Sequence, residues 1–250
     1  MEKMQDPILF IIAGACSFGS MVTLELLGIP YQVCLTDEKI RASAEFKKVN
    51  PLGKVAALKD SQVCVGENIA IIQYLLDAYG DNDTGSKEVE AVGIYKGNTD
   101  WDYKFFPTRQ DLSNRAKMYQ WLSYCSSTLH PAFSQVNYAQ RYAPQNTEEF
   151  KTEAYKRLLL VLDYVDNALQ DGYLLFKDYF SIVDAQAYGL LRWISYIPQH
   201  EELLLARPNI EEFFTKVKGI TAVQNALDIE QQKLEDLKNS KFKGYFKINV

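Results

Sequence analysis

Only two histidines, His130 and His200, occur in the 250 residues, which excludes a histidine-rich metal site. The four cysteines, Cys16, Cys34, Cys64 and Cys125, contain no CxxC pair. They form no disulfide framework and fit a reducing compartment, so a cytoplasmic protein without a metal is expected. A basic excess is also missing: lysine plus arginine number 27 against 32 for aspartate plus glutamate, a net charge of −5. That balance argues against nucleic acid or an anionic membrane as the main partner. No apolar stretch approaches the length of a membrane span. The run from Ile8 to Ala13 followed by Gly14-Ala15-Cys16 ends like a lipoprotein signal. It is too short for one, and Met1-Glu2-Lys3-Met4-Gln5-Asp6 lacks the positive charge a signal carries. Internal repeats and low-complexity segments are absent as well.

What is present is an ordinary globular balance, 47% hydrophobic and 24% charged. The length suits two domains or one large one. The 16 tyrosines and 13 phenylalanines suit an apolar cleft as well as a plain core. Residues 8–13 are continuously apolar and partly β-branched, the mark of a buried strand. A small-residue loop, 14–19, leads into a helix over 20–27 that Gly28 ends. A second strand is expected over 31–35 and a short helix over 43–49, stopped before Pro51. Strands 55–58 and 63–65 flank an Asp60-Ser61 turn, and a helix over 68–79 is apolar on two faces, as in a layer between layers. The order is βαβ, α, ββα.

A polar, glycine-bearing stretch, 80–86, reads as a linker, and 87–109 resists assignment. Beyond Leu112 helices are expected over 112–141 with a bend at Pro131, over 147–169 with Thr147 as N-cap, from Ser181 to Ile197, over 209–218 and over 221–238. Ser181-Ile182-Val183-Asp184 has capping-box spacing, with Asp in place of Glu or Gln. The basic-aromatic tail 241–250 carries no assignment. The expected domains are 1–80, a linker and irregular segment 81–110, and an all-helical 111–250.

Five motifs fall in one order: Gly14-Ala15-Cys16-Ser17, Asn50-Pro51-Leu52-Gly53-Lys54-Val55, Gly66-Glu67-Asn68-Ile69-Ala70-Ile71, Trp121-Leu122 with Ser126-Ser127-Thr128-Leu129-His130, and Phe180-Ser181-Ile182-Val183-Asp184-Ala185. No single one is specific. As an ordered set, over about residues 8–227, they resemble the cytosolic glutathione transferases, closest to the bacterial beta class. The resemblance implies an α/β thioredoxin-like N-terminal domain and an all-α C-terminal domain. It also implies a cytoplasmic homodimer that conjugates glutathione to small hydrophobic electrophiles in detoxification.

Cys16 lies between a strand and a helix N-terminus, whose unpaired N–H groups and partial positive charge lower a thiol pKa. Read alone it is better taken as a small residue in a tight loop. The resemblance makes Cys16 the residue at the glutathione sulfur, able to form a mixed disulfide, with Ser17 donating to the thiolate. Glu67-Asn68 opens a helix; Asn is a good N-cap, and a helix start is an anion site. The family uses this turn for the γ-glutamyl end of glutathione, and the Val55 backbone for its cysteinyl unit. His130 and Trp193 match positions near the second-substrate site, although Trp193 alone reads as core. Ser181 and Asp184 are assigned to folding.

Four departures stand against the family pattern: Ala56 where a proline follows a cis bond, Pro131 where a lysine is usual, Ser123 where asparagine is frequent, and Ser20-Met21 for a Pro-His pair. A cis bond costs about 2.5–4 kcal/mol before a residue other than proline, so weakened glutathione binding is expected unless the fold enforces cis. Two alternatives stand beside a transferase: a glutathione-dependent thiol reductase acting through Cys16, and a non-catalytic transferase-like binding protein. The departures and the tail 228–250 favour the latter.

Overall fold

The structure, a computed structural model, describes residues 6–80, 105–107 and 110–248. The chain divides into two compact units, Met1–Tyr103 with Gly219–Val250, and Lys104–Lys218. The segment 219–250, expected with the helical domain, therefore belongs to the first unit. Residues 80–86 and 87–109, read as linker and irregular segment, lie outside the described residues except for 80, 105–107 and the adjoining 110.

In the first unit, β1 (Ile8–Ile11), β2 (Tyr31–Leu35), β3 (Ala57–Lys59), β4 (Cys64–Gly66) and β5 (Phe242–Tyr245) form one mixed sheet in the order β4-β3-β1-β2-β5. β1 is central, parallel to β2 with Leu9 opposite Val33, and antiparallel to β3 with Leu9 opposite Leu58. Leu9, Phe10 and Ile11 are all buried, which is why this strand is apolar without alternation. Helix α1 (Phe18–Leu27) is buried from Phe18 to Leu26 and ends on Gly28, whose φ of 60° is the left-handed cap that glycine adopts without a Cβ penalty. The short helix expected over 43–49 is α3 (Ala44–Lys47), and a helix that the sequence pattern did not reveal, α2 (Glu38–Ala42), precedes it; the side chains of Ser43 and Asp37 cap them. Asp60 makes the β3–β4 turn by accepting from the amides of Gln62 and Val63. Helix α4 (Asn68–Tyr79) has the expected span and buries Ile71, Ile72, Leu75 and Leu76.

The second unit is helical: α5 (Leu112–Tyr124), α6 (His130–Asn137), α7 (Ala139–Tyr142), α8 (Thr147–Ala168), α9 (Ile182–Leu191), α10 (His200–Leu205) and α11 (Pro208–Lys218). The bend expected at Pro131 takes the form of a π-helical turn, Cys125–Leu129, in which the His130 amide reaches the Cys125 carbonyl. Proline lacks an amide and crowds the preceding turn, and a widened turn accommodates it. Thr147 is the first residue of α8 and not its cap; Asn146 stands before it, and Thr147 Oγ1 donates to the Ala143 carbonyl. The Ser181–Asp184 capping box is present in full, and Asp184 also accepts from the Leu174 amide at 2.8 Å.

The helix expected over 221–238 is shorter. Helix α12 (Thr221–Gln231) stops at Gln232, which has a φ of 60°, and packs on α1. The chain then runs on to β5, parallel to β2. The tail that carried no assignment is thus the fifth strand of the first unit's sheet.

Candidate active site

The loop 14–17 leaves the end of β1 and turns directly into α1. Gly14 sits at φ 76°, and its amide donates to Glu230 Oε1 of α12 at 3.1 Å. Glu230 is a site contact that the motifs did not reveal, because it lies more than two hundred residues away in a helix, expected over 221–238, that carried no motif. Asn68 holds the same loop from the other side. Its Nδ2 donates to the Cys16 carbonyl at 2.8 Å, and its Oδ1 accepts from Ser20 Oγ. Asn68 is therefore the first residue of α4, tied inward to the thiol loop, and not the N-cap; Glu67 occupies the cap position.

Cys16 is half-buried at the start of α1. The expectation of a lowered thiol pKa is corrected: it is raised, first because burial disfavours the thiolate and further because the Glu67 carboxylate repels it. The backbone amides of Cys16 and Ala56 oppose the shift by hydrogen bonding to the sulfur. Ser17 is fully buried, and its Oγ has no hydrogen-bond partner among the described residues, so its donor is unspent at the helix N-terminus.

Ala56 is buried, Val55 is half-buried, and the Val55-Ala56 peptide is cis, as in the alternative where the fold enforces it. Glu67 is exposed with φ 66°, a left-handed conformation rare for a residue with a Cβ and characteristic of functional turns. Cys16, the Ala56 amide and Glu67 thus meet at one thiol, while Asn68 holds the Cys16 carbonyl. Backbone N–H groups are available there to a thiolate, and a carboxylate stands ready for a cation.

His130 and Trp193 belong to the second unit. Their rings meet edge to face with centroids 5.1 Å apart, and Phe133 packs on the same indole at 5.9 Å. Trp193 is half-buried in a 3₁₀ turn, Arg192–Tyr196, that follows α9, which places it off the core stripe suggested by its spacing. Among the described residues, no group of three or more His, Cys, Asp or Glu could hold a metal ion, and no helix is long and apolar enough to cross a membrane.

Residues 7–77 match the family model of the glutathione S-transferase N-terminal domain. The chain is 28% identical over 226 residues to glutathione S-transferase GstA of Escherichia coli O157:H7, covering 89% of this chain and 98% of that one. It is 23% identical over 224 residues to glutathione S-transferase GST-4.5 of Xanthomonas campestris pv. campestris, with coverage of 89% and 98%. A sphingomonad glutathione S-transferase complexed with glutathione has the same fold at TM-score 0.68 and 27% identity, over 90% of this chain and 98% of that one. The matched domain and the relatives that align over nearly the whole chain are glutathione S-transferases, which supports a transferase enzyme.

Proposed function

We propose that this chain conjugates the thiolate of glutathione to a small apolar electrophile, in the manner of the beta-class transferases it resembles. The observation that carries this reading is the convergence of Cys16, the Ala56 amide and the Glu67-Asn68 turn at the N-terminus of α1. In this reading the backbone of Val55 pairs with the cysteinyl unit of glutathione. Glu67 takes the γ-glutamyl ammonium, and the amides at the start of α4 take its carboxylate. The glutathione sulfur lies against Cys16, and Ser17 Oγ supplies the donor it does not spend within the protein. Helix-end amides and this hydroxyl lower the energy of the thiolate, so that it attacks the electrophile while a leaving group departs with the electron pair. His130 and Trp193 offer an aromatic surface for the electrophile.

Burial and Glu67 both keep Cys16 protonated, which favours a transferase over a reductase that would need Cys16 as the attacking thiolate. The proposal includes a cytoplasmic homodimer. Conjugation of glutathione to a chloronitrobenzene by the wild-type chain and by Cys16→Ser tests it: a transferase retains turnover in the variant, whereas complete loss supports the reductase. No turnover in the wild type would leave a binding protein.

A further inference from the structure

The segment after α12 is tied down along its whole described length. Glu25 of α1, only 3% exposed, accepts from Tyr31 Oη, from Asn225 Nδ2 at 2.7 Å and from Ser240 Oγ at 2.6 Å. Asn225 also pairs with both backbone groups of Lys238, at 2.8 and 2.9 Å. Tyr245 Oη donates to the Ile229 carbonyl at 2.6 Å, and the Phe246 amide donates to the Val33 carbonyl at 2.8 Å. A charged side chain buried with three donors around it holds one arrangement, because removing any donor leaves the carboxylate short of a partner.

These ties place Phe246 and Ile248 on a cluster with Phe10, Cys34, Phe46, Val49 and Ala57. The Phe246 ring meets Phe10 edge to face with centroids 6.3 Å apart, and Phe10 meets Phe46 in the same way at 5.5 Å. Val55 packs against this same cluster. The tail and the glutathione-facing backbone therefore share one set of core side chains. A close-packed set of this kind transmits a change of volume from one side to the other.

We propose that the C-terminal segment is a strap that positions Val55, with Phe246 as the positioning residue, so that the tail sets the affinity for glutathione without touching it. This rests on the reading that Val55 binds glutathione. It is tested in the full chain with Phe246→Ala and Phe246→Leu, by amide hydrogen exchange, alkylation of Cys34 and titration with glutathione. In Phe246→Ala, exchange over 55–58 becomes about tenfold faster while α4 is unchanged, and Cys34, whose thiol the Ile248 amide reaches, is alkylated faster. The glutathione dissociation constant and KM rise about tenfold with kcat unchanged, and Phe246→Leu restores most of the loss. Wild-type exchange over 55–58 with Cys34 uncovered would overturn the proposal, since the tail would then only cover the thiol. Faster exchange with unchanged affinity would keep the positioning of Val55 and reject its contact with glutathione. Should Phe246→Ala not fold, Ile248→Ala carries the same expectations and the same refuting result.

Discussion

Cys16 shows how a local rule yields to its surroundings. A helix N-terminus stabilises a thiolate, yet burial and the Glu67 carboxylate act the other way and prevail. At neutral pH an alkylating reagent should therefore modify Cys64, which is exposed on β4, before Cys16. Cys34 and Cys125, pushed by burial to about 11 and about 12, should resist. Peptide mapping that finds Cys16 labelled first would contradict the order. Glu67→Gln removes the repelling charge, so the alkylation midpoint of Cys16 should move to lower pH; a move to higher pH would show that Glu67 favours the thiolate. Asp184 is a second case. Burial raises its carboxyl to about 6 against the opposing hydrogen bonds from Ser181 and Leu174. A folded-state pKa above the unfolded value contributes stability below about pH 4 that is lost as the pH rises through 6. Relative to Asp184→Asn, the wild type should lose about 2 kcal/mol of unfolding free energy between pH 4 and pH 7. Parallel stability curves in urea would contradict this.

Local chemistry made most of the elements legible, and the misses share one cause. Helix α4 and the capping box could be read because their signals are contiguous: an apolar face for the first, Ser181 and Asp184 three residues apart for the second. Ser181→Ala should cost about 1–2 kcal/mol, measured by denaturant unfolding at constant pH; an unchanged midpoint would mean that Asp184 alone caps α9. Strand β5 was not legible, because Phe242-Lys243-Gly244-Tyr245 offers four residues interrupted by glycine and lysine. Its strand state comes from pairing with β2, two hundred residues earlier. The contact between Glu230 and Gly14 was hidden for the same reason. Asn68 was read by its capping propensity, whereas tertiary contacts with Cys16 and Ser20 set its role. The π turn before Pro131 lay between: the proline announced a disturbance and left its form open.

On the scale of the whole molecule, the first unit is built from both ends of the chain, with α12 and β5 completing what β1 to α4 begin. The proposed dimer should appear in light scattering at micromolar concentration as about twice the chain mass; a single-chain mass would remove that part of the proposal. The first unit is proposed to bind glutathione at the loop that carries Cys16. Calorimetric titration with glutathione tests it most directly, on the wild type and on Glu67→Ala in parallel. Saturable binding of one glutathione per chain is predicted, with a dissociation constant of about 1 mM or below, weakened about tenfold or more in the variant. No heat of binding to the folded wild type at millimolar glutathione, or equal affinity in the two proteins, would contradict it.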